Sequence, residues 1–523
     1  MSSEQTRDTA GSKLWKGFAT IVFLAQAAAS VILFVNVLLT GMIPEKYLYA
    51  LGIILWLLLM VNALLLFVGM KRPHSAKVFI KRLAAVLLAL LICSVSTIGS
   101  KATGRVKAAL KEVTAEQTRS DESIVAMMNL YVIAKDPAKT AADCRSYLIG
   151  TAVGDNERNS KAALNKMSSE TGISVQSREY GSEEELINAL YKGKIQAAII
   201  NSAVAEILSE TEDFKGFIGK ARLIREYDIT EADLEFIPGK PETSAKVTNP
   251  VESNGTQAVP GGITTTPFIL YVSGSDTRNK QFKTSRSDVN ILMVVNPKTK
   301  QILLLNTPRD YYIPNPKSPD GVRDKLTHLG IYGVGCSMKG LGDLYGCTVN
   351  HSVQINFTGL ETLVDELGGI TVDNPQAFKS VGGYQYKKGK IKLNGKEALA
   401  YARERYAFTA GDNMRGQNQM RIITAIINKV TASKSQVLMN YSGIMNALSG
   451  MFKTSVSTTD IEKLVKMQLD DMAQWKITSY SVTGRNGSET TYSSPSHKAY
   501  VMWPDDKSVA EGAGKIKKVL LGL

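Results

Sequence analysis

Hydrophobic residues are distributed along this chain in four patterns. The first hundred residues hold three long apolar runs, roughly Leu14–Leu39, Tyr49–Met70 and Val78–Gly99. Short apolar runs then alternate with amphipathic helical patterns from Ile124 to Phe236, and Pro238–Pro267 contains almost no large apolar side chain. After Pro267, short apolar runs again alternate with amphipathic helical patterns. The order predicts a membrane segment, a small domain, a linker and a larger domain.

The three apolar runs are each close to the ~20 residues that cross a bilayer. The segment Lys71–Arg82 carries five basic residues and no acidic one, which predicts that it stays in the cytoplasm. This places the N-terminus inside, and Pro44–Lys46 and all residues after Gly99 outside. The basic residues between Lys101 and Lys111 argue mildly against this orientation. The segment Lys71–Arg82 outweighs them because its basic residues are more closely spaced.

The region from Ile124 to Phe236, which follows a polar helical stalk at Lys101–Ser123, predicts a small α/β unit. It shows no glycine fingerprint, catalytic cluster or ligand spacing, so a spacer or protein-contact module is favoured over a second active domain. Its predicted strands are Tyr147–Val153, Ile173–Tyr180 and Ile195–Ser202, and its predicted helices are Glu157–Thr171 and Glu183–Tyr191.

The residues from Pro267 to Leu523 predict an α/β or α+β domain whose central sheet is too apolar to face water. The strand-like runs are Phe268–Val272, Asn290–Val295, Gln301–Asn306, Val349–Ile355 and Ile477–Val482. The helical patterns lie near Gly359–Leu367, Gly395–Arg403, Met414–Val430, Thr459–Trp475 and Asp505–Leu523.

Composition narrows the function classes only slightly. The 523 residues carry a formal charge of +14, but the positive charge is not gathered into one arm, and the predicted exported location makes a nucleic-acid role improbable. The chain has four cysteines and four scattered histidines, so a zinc site is not expected. Cys336 and Cys347 either form a disulfide or are held apart by a short helix between them.

The segment Asn296–Lys300 separates two strand-like runs and has the composition of a turn. An antiparallel hairpin centred near Lys298 and Thr299 would place Asp288 opposite Arg309, with Arg286 just beyond. The preceding strand ends at a glycine turn that delivers Asp276 and Arg278 to a strand end. Arginine forks match phosphate oxygens, and paired aspartates hold a hard divalent cation. These strand ends therefore predict a pyrophosphate site.

A second cluster of polar residues lies on the later helices. Arg415 and Gln419 are four residues apart and share one helical face. Arg403 and Arg405 lie near the end of the preceding helix, and Asp412 is a candidate helix cap. The alternative for each of these residues is an ordinary surface salt bridge. Placing several like charges close together costs free energy unless a polyanion neutralises them. The whole set of arginines therefore favours an anion-binding site.

Six motifs occur in this order along the chain: SGSDTR (Ser273–Arg278), RSD (Arg286–Asp288), PRD (Pro308–Asp310), the run Asn356–Ile370, LNGKEALAYARER (Leu393–Arg405) and the pair Arg415 and Gln419. With them the chain resembles the LytR–CpsA–Psr family of bacterial cell-wall proteins, particularly its CpsA-like members encoded with capsule genes. The resemblance implies a phosphotransferase that attaches a polyprenyl-pyrophosphate-linked glycopolymer, here capsular polysaccharide, to peptidoglycan.

The resemblance also assigns roles to residues. Asp276 and Asp288 would hold Mg²⁺, with Mn²⁺ as the alternative, and together with Arg309 would be catalytic. The pyrophosphate would contact Arg286, Arg309, Lys325, Arg403, Arg405, Arg415 and Gln419, and Arg278 and Asp310 match weaker positions. A hydrophobic slot would bury the prenyl chain, with Ile291, Met293, Val295, Leu303, Leu305, Leu360, Leu363, Leu367 and Ile423 as candidate lining residues. Ordinary core packing is the alternative for each of them.

The implied fold is an extracytoplasmic α/β (α+β) catalytic domain with a central mixed sheet flanked by helices, a small α/β accessory domain and three N-terminal transmembrane helices. The boundaries are a cytoplasmic tail at 1–13, transmembrane helices at 14–100, the accessory domain at 101–237, a linker at 238–266 and the catalytic domain at 267–523. The implied partners are the lipid-linked polysaccharide, peptidoglycan, membrane lipids and other capsule-assembly proteins.

Two other functions remain open on the sequence. One is a membrane-bound regulator of capsule synthesis or expression without essential catalysis, although the cytoplasmic segments are too short to bury a core. The other is hydrolysis of the same lipid donor, which would use identical residues with water as the acceptor. The sequence contains no GxxxxGK[ST], HExxH or GxSxG motif for other enzyme classes.

Overall fold

The computed structural model describes residues 2–67, 76–120, 126–153, 156–209, 214, 216–230, 233–234, 259–275, 286–408, 411–432 and 452–523. The chain divides into two compact units. The first comprises Met1–Glu112, Asn428–Ser449 and Ser457–Gln474, and the second comprises Val113–Ile427, Gly450–Val456 and Trp475–Leu523.

The first unit begins with three long helices, α1 (Ser2–Leu38), α2 (Glu45–Phe67) and α3 (Ala76–Ser120). Each contains a stretch that is long and apolar enough to cross a membrane: Lys13–Leu38, Glu45–Phe67 and Ala76–Arg105. The three predicted spans are therefore confirmed as apolar helices. The predicted polar stalk is the continuation of α3 as far as Ser120, and its residues 121–123 lie outside the described residues.

Polar side chains are buried where the three apolar helices pack. Gln26 on α1 and Asn62 on α2 are fully buried, and the Asn62 amide donates a hydrogen bond to the Gln26 side-chain oxygen. Ala19, Leu66 and Ala85 form a small apolar contact that includes one residue from each helix. Polar amides act as interhelical links in a membrane because lipid offers them no partner.

The second unit contains a five-stranded sheet in the order β3-β2-β4-β1-β5. The predicted strands and helices of the accessory domain are found within a few residues of their expected bounds, and two antiparallel strands, β1 and β5, complete the sheet. The elements are β1 (Ala126–Ile133), β2 (Ile149–Ala152), α4 (Glu157–Thr171), β3 (Ser177–Tyr180), α5 (Glu183–Tyr191), β4 (Ala197–Asn201), α6 (Ser202–Leu208), α7 (Phe217–Lys220) and β5 (Ala221–Ile229).

A second sheet of six strands, in the order β16-β11-β6-β7-β8-β17, forms the centre of the larger domain. It is mixed: β7 is antiparallel to both β6 and β8, whereas β11 is parallel to β6 and β17 is parallel to β8. Its strands are β6 (Phe268–Ser275), β7 (Val289–Asn296), β8 (Gln301–Asn306), β11 (His351–Asn356), β16 (Phe452–Thr454) and β17 (Lys476–Ser481). All five predicted strands are found in this sheet.

The remaining elements after β6 are helices and small hairpins, and one of these helices, α13 (Thr458–Asp471), belongs to the first unit. The helices are α8 (Leu326–Leu329), α9 (Val334–Tyr345), α10 (Phe357–Glu366), α11 (Gly395–Arg403), α12 (Gly411–Thr431), α13 (Thr458–Asp471) and α14 (Asp506–Leu521). The paired short strands are β9 (Tyr312–Pro314) with β10 (Arg323–Lys325), β12 (Ile370–Asn374) with β15 (Gly389–Leu393), β13 (Phe378–Lys379) with β14 (Gln385–Tyr386), and β18 (Gly484–Thr491) with β19 (Ser494–Pro504). Cys336 lies in the first turn of α9 and Cys347 follows the end of this helix, so the helix holds them apart, and both thiols are free.

The register of β7 and β8 corrects one part of the predicted lipid slot. Leu303 pairs with Val294 and Leu305 pairs with Leu292, so these four side chains share one sheet face. That face is packed in a core cluster with residues of α9 and α14. Ile291, a neighbour of Leu292, points to the opposite face because strand side chains alternate. Leu303 and Leu305 are therefore core residues and cannot line a slot with Ile291.

Helix α13 contacts the short connection between α1 and α2 within the first unit. Lys46 Nζ lies 2.6 Å from Asp470 Oδ1 and donates to the backbone oxygen of Asp470 at 2.7 Å. Lys466 Nζ lies 3.9 Å from Glu45 Oε1. The connection between the first two apolar helices therefore lies beside α13.

Candidate active site

Four charged side chains form a continuous network at the end of the β7–β8 hairpin. Arg309 Nη1 donates to Asp288 Oδ1 at 2.7 Å, and Arg309 Nε lies 3.5 Å from Asp310 Oδ2. Lys325 Nζ lies 3.4 Å from Asp310 Oδ1. Among the described residues of this network, two acids, Asp288 and Asp310, alternate with two bases, Arg309 and Lys325. The predicted proximity of Asp288 and Arg309 is confirmed, and the network also includes Asp310 and Lys325.

The backbone explains why these residues meet. The β7–β8 register continues past its last strand pair, because Thr307 N donates to Asn290 O at 2.9 Å. Pro308 has no N–H to extend the ladder, so the chain leaves the sheet at this point. Arg309 and Asp310 follow directly and face the residues that precede β7.

The start of α8 packs against both chain segments of the site. Thr327 N donates to Arg309 O at 2.8 Å, and Thr327 O accepts from Ser287 N at 3.2 Å. The Lys325 side chain is only 6% exposed, so its ammonium is held close to Asp310 instead of in solvent. This segment thus bridges the backbones on either side of the ion network.

A buried polar layer surrounds Ser287, which directly precedes Asp288. The Tyr271 hydroxyl lies 2.6 Å from Asn290 Oδ1 and 3.0 Å from Ser287 Oγ, and Ser273 Oγ lies 2.7 Å from Ser287 Oγ. Complete burial raises the pKa of Tyr271, so the phenol is neutral and acts as a hydrogen-bonding group. The layer fixes Ser287, the residue between Arg286 and Asp288.

Arg403 and Arg405 present a second group of cations at the end of α11. The Arg403 guanidinium lies over the Phe357 ring at 4.3 Å, and that of Arg405 lies over the Tyr406 ring at 4.7 Å. Neither arginine forms an ion pair with any residue that the structure describes. Aromatic faces hold a guanidinium in place without neutralising it. These two positive charges are therefore positioned for an anion.

The intervening Glu404 is turned away from both arginines and is buried. Its two carboxylate oxygens accept hydrogen bonds from Val381 N at 2.7 Å and from Ala407 N at 2.9 Å. Glu404 thereby ties the β13–β14 hairpin to the loop that follows α11. Glu404 thus fixes the backbone between Arg403 and Arg405.

Helix α12 brings Arg415 and Gln419 to the end of β8. The position that a Cβ atom would take at Gly416 overlaps the side chain of Asn306, so the helix and the strand end approach as closely as a glycine allows. Asn306 is three residues from Arg309 in sequence. Arg415 is thus placed next to the strand end from which Arg309 emerges. The side chain of Asp412 lies outside the described residues.

The two clusters share one edge of the six-stranded sheet. Phe357, on which Arg403 rests, directly follows β11, and Arg309 follows β8. The intervening strands are β6 and β7 in the order β11-β6-β7-β8, so the two positions are roughly 14 Å apart along the edge. Arg309 and Arg403, two of the residues predicted to bind pyrophosphate, therefore lie along one sheet edge.

The acidic residues present are compatible with a magnesium ion at this edge. Among the described residues, the second carboxylate oxygen of Asp288 accepts no hydrogen bond, so it remains available to a cation. Mg²⁺ commonly takes one or two carboxylates and completes its shell with phosphate oxygens and water. Asp276 and Arg278 follow β6, the strand next to β7, but lie outside the described residues. No cluster of three or more metal-binding side chains occurs in the part of the chain that the structure describes.

Several residues of this site were not identified from the sequence. Ser493 and Asn315 donate hydrogen bonds to Asp324, directly beside Lys325. Arg421 donates to Asn418 Oδ1 at 2.7 Å and reinforces the face of α12. Tyr271 and Asn290 could have been identified from the sequence, because they are polar residues inside otherwise apolar strands. Ser493 offered none because it is 169 residues from Asp324.

Comparison with known proteins assigns the chain to a family. Residues 239–508 match the family model described as "LytR_cpsA_psr family", which is more than half of the chain. The chain belongs to this family. All nine residues predicted to form the site lie inside the matched region, which confirms the resemblance inferred from the motifs.

The chain is similar to curated members of the LytR_cpsA_psr family over part of its length. It is 37% identical over 200 residues to the polyisoprenyl-teichoic acid–peptidoglycan teichoic acid transferase TagU of Enterococcus faecalis, covering 38% of this chain and 64% of that protein. It is 34% identical over 204 residues to the transferase of the same description, TagT, of Bacillus subtilis, covering 37% and 61%. The matched residues thus span less than two thirds of each relative.

A solved structure is also similar to this family member. The crystal structure of TagU of Bacillus subtilis is 28% identical, with a TM-score of 0.38, and the match covers 49% of this chain and 97% of that one.

Proposed function

We propose that this protein is a membrane-anchored phosphotransferase that moves a glycopolymer from a polyprenyl pyrophosphate to peptidoglycan. The observation that carries the proposal is the convergence of Asp288, Arg309 and Arg403 on one sheet edge within a domain of the LytR_cpsA_psr family. The relatives named as teichoic acid–peptidoglycan transferases support the same reaction class. The resemblance to CpsA-like members makes capsular polysaccharide the polymer we propose.

The charges of the site suit this reaction. Phosphoryl transfer depends mainly on positioning and on neutralising charge that builds up on the phosphate oxygens. Arg403 and Arg405 would bind the pyrophosphate, because no described carboxylate neutralises them. Arg309 would stabilise the phosphoryl group in transfer. We assign Arg286, Lys325, Arg415 and Gln419 to the same phosphate oxygens.

The bond changes in this reaction are a single exchange at phosphorus. An acceptor hydroxyl of peptidoglycan forms a new P–O bond to the phosphate that carries the polymer, and it loses its proton. The bridging P–O bond breaks, and its electron pair leaves with the polyprenyl phosphate. Asp288 and Asp276 would hold a divalent cation that lowers the negative charge of the pyrophosphate. Engagement of Asp288 by a cation would release Arg309 from its ion pair toward phosphate.

The contact between Lys46 and Asp470 supports the proposed orientation in the membrane. The connection between α1 and α2 and helix α13 touch, so they lie on the same side of the membrane. The positive loop before α3 then lies on the cytoplasmic side. A Lys46→Cys variant should react with a membrane-impermeant maleimide in intact cells, whereas Lys77→Cys should react only after lysis. The reverse pattern would contradict the orientation.

The transfer reaction can be measured with the full chain in lipid nanodiscs. The assay would contain a labelled polyprenyl-pyrophosphate-linked glycan, un-crosslinked peptidoglycan and Mg²⁺, with product identified by mass spectrometry. We expect a glycan–phosphate–peptidoglycan product, lost in Arg403→Ala and retained in Arg485→Ala. Arg485 is a matched control because it is exposed and lies on β18, outside the site. Release of glycan phosphate without attachment would instead identify a hydrolase.

A further inference from the structure

A fully buried carboxylate lies next to the ion network but is not part of it. Asp324 has no exposed surface, so it cannot touch substrate. Its Oδ1 accepts hydrogen bonds from Lys325 N and from His328 Nδ1, both at 2.8 Å. Its Oδ2 accepts from Asn315 Nδ2 at 3.3 Å and from Ser493 N at 3.1 Å. A buried charge is tolerated only with such a complete set of donors.

Some of the hydrogen-bond donors around Asp324 come from a distant part of the chain. Ser493 lies at the turn between β18 and β19, and its hydroxyl donates to Asp324 Oδ2. Because that hydroxyl has one proton, the neighbouring Tyr332 hydroxyl at 2.9 Å is the donor to Ser493 Oγ. The turn also contributes a backbone link, since Tyr492 N donates to Arg323 O at 2.9 Å. The tip of the hairpin thus holds Arg323 and Asp324 in β10, the strand that ends at Lys325.

The chain segment that contains Asp324 also contacts the residues of the ion network. Lys325 follows Asp324 and reaches Asp310, and the same segment bridges the backbones of Arg309 and Ser287 through Thr327. A shift of Asp324 would therefore move the Lys325 ammonium directly. Arg309 would move with it through Asp310 and the Thr327 backbone.

We propose that Asp324 is a positioning residue that aligns Lys325 for pyrophosphate binding. It is held in place by hydrogen bonds from Ser493 in the β18–β19 hairpin. The hairpin tip is then a functional element of the site although it contributes no group that touches substrate. The proposal rests on the proposed function, because it assigns the aligned lysine to a pyrophosphate.

Binding of farnesyl pyrophosphate in the presence of Mg²⁺ tests this role without requiring catalysis. Calorimetry would use the full chain in detergent, with Ser493→Ala, Ser493→Thr and the control Ser494→Ala. The Ser494 hydroxyl is buried in the same turn and has no hydrogen-bond partner among the described residues. We expect about a tenfold weaker Kd for Ser493→Ala, as for one misaligned charge-assisted hydrogen bond, and parent-like binding for the other two.

A double variant separates positioning from general loosening of the fold. If Ser493 acts through Lys325, Ser493→Ala should weaken binding no further in a Lys325→Gln background, within about twofold. Independent losses in the double variant would overturn the proposal. So would unchanged binding by Ser493→Ala when the parent chain binds. Failure of the parent chain itself to bind farnesyl pyrophosphate would overturn both this proposal and the proposed function.

Discussion

Asp288 Oδ1 accepts a hydrogen bond from Arg309 Nη1 at 2.7 Å, and the two residues occupy mirror positions about the β7–β8 turn. The ladder pairs Asn296 with Gln301 and Ile291 with Asn306, and the same register extended by three residues pairs Asp288 with Arg309. Each residue is about one-fifth exposed, so the pair is reachable from solvent but partly shielded. An ion pair in this setting can exchange its partner for a cation or a phosphate.

Replacing Arg309 should remove the main charge that opposes Asp288 and Asp310. For Arg309→Ala we expect glycopolymer transfer to fall about 100-fold or more, as when an electrostatic donor is lost from an active site. Arg309→Lys should retain part of the rate, because a lysine keeps the charge but not the two-pronged geometry. The nanodisc transfer assay measures both. A rate for Arg309→Ala above half that of the parent would exclude a catalytic role.

The close approach of α12 to β8 predicts an asymmetric effect of two glycine substitutions. Gly416→Ala should destabilise the protein by about 1–3 kcal/mol, because the added methyl overlaps Asn306. Asn306 would also lose its hydrogen bond to Ser481 Oγ at 2.9 Å.

The matched control is Gly514→Ala in α14. No atom lies within 4 Å of a Cβ at that position, so the free energy of unfolding should rise by about 0.5–1 kcal/mol from helix propensity alone. Thermal unfolding of the full chain in detergent reports both changes. Equal effects of the two substitutions would contradict the packing described for α12.

Loss of the Glu404 carboxylate should release the loop that carries Arg405. In Glu404→Ala, Val381 N and Ala407 N lose their acceptors, so their amide hydrogens should exchange faster. Binding of farnesyl pyrophosphate should weaken, because the arginines are no longer held in place. Glu366→Ala, an exposed position on α10, should change neither quantity. Unchanged exchange at Val381 in Glu404→Ala would refute the anchor.

Cys336 in the first turn of α9 and Cys347 just after its end should behave as unreactive free thiols. Burial raises the pKa of Cys336 to about 12 and that of Cys347 to about 11. The thiolate is the reactive form, so alkylation by iodoacetamide at pH 8 should be slow in the folded chain and fast in denaturant. An intact mass two hydrogens lower without reductant would reveal a disulfide instead.

These thiols also predict how stability depends on pH. Both folded-state pKa values lie above the ordinary value of 9.0. The neutral thiols therefore contribute stability that is fully present below pH 9.0 and is lost as the pH rises through about 11 and 12. Cys336→Ser should lessen this alkaline loss, which thermal unfolding as a function of pH would measure.

Features that depend on near neighbours were predicted well from the sequence. The apolar length of α1, α2 and α3, the strand alternation of β7 and β8 and the length of their turn are local properties. The turn length sets the register, and the register brings Asp288 to Arg309. The helical spacing of Arg415 and Gln419 is local in the same way.

Features that depend on which surfaces pack together were decided by the tertiary structure. Leu303 and Ile291 were both candidates for the lipid slot, with core packing as the alternative, and the pairing of β8 with β7 turns Leu303 toward α9 and α14. Asp324 and Ser493 are brought together only by the path of the β18–β19 hairpin.

The sequence by itself thus determined the three apolar helices, the alternation of strands and helices in both domains, and the Asp288–Arg309 pairing. Only the tertiary structure decided which sheet face is core, how Glu404 anchors the arginine loop and what holds Lys325. The physical reason is the distance along the sequence over which each interaction acts. Periodicity and turn length act over a few residues, whereas a buried carboxylate draws its donors from any segment that packing brings within hydrogen-bond distance.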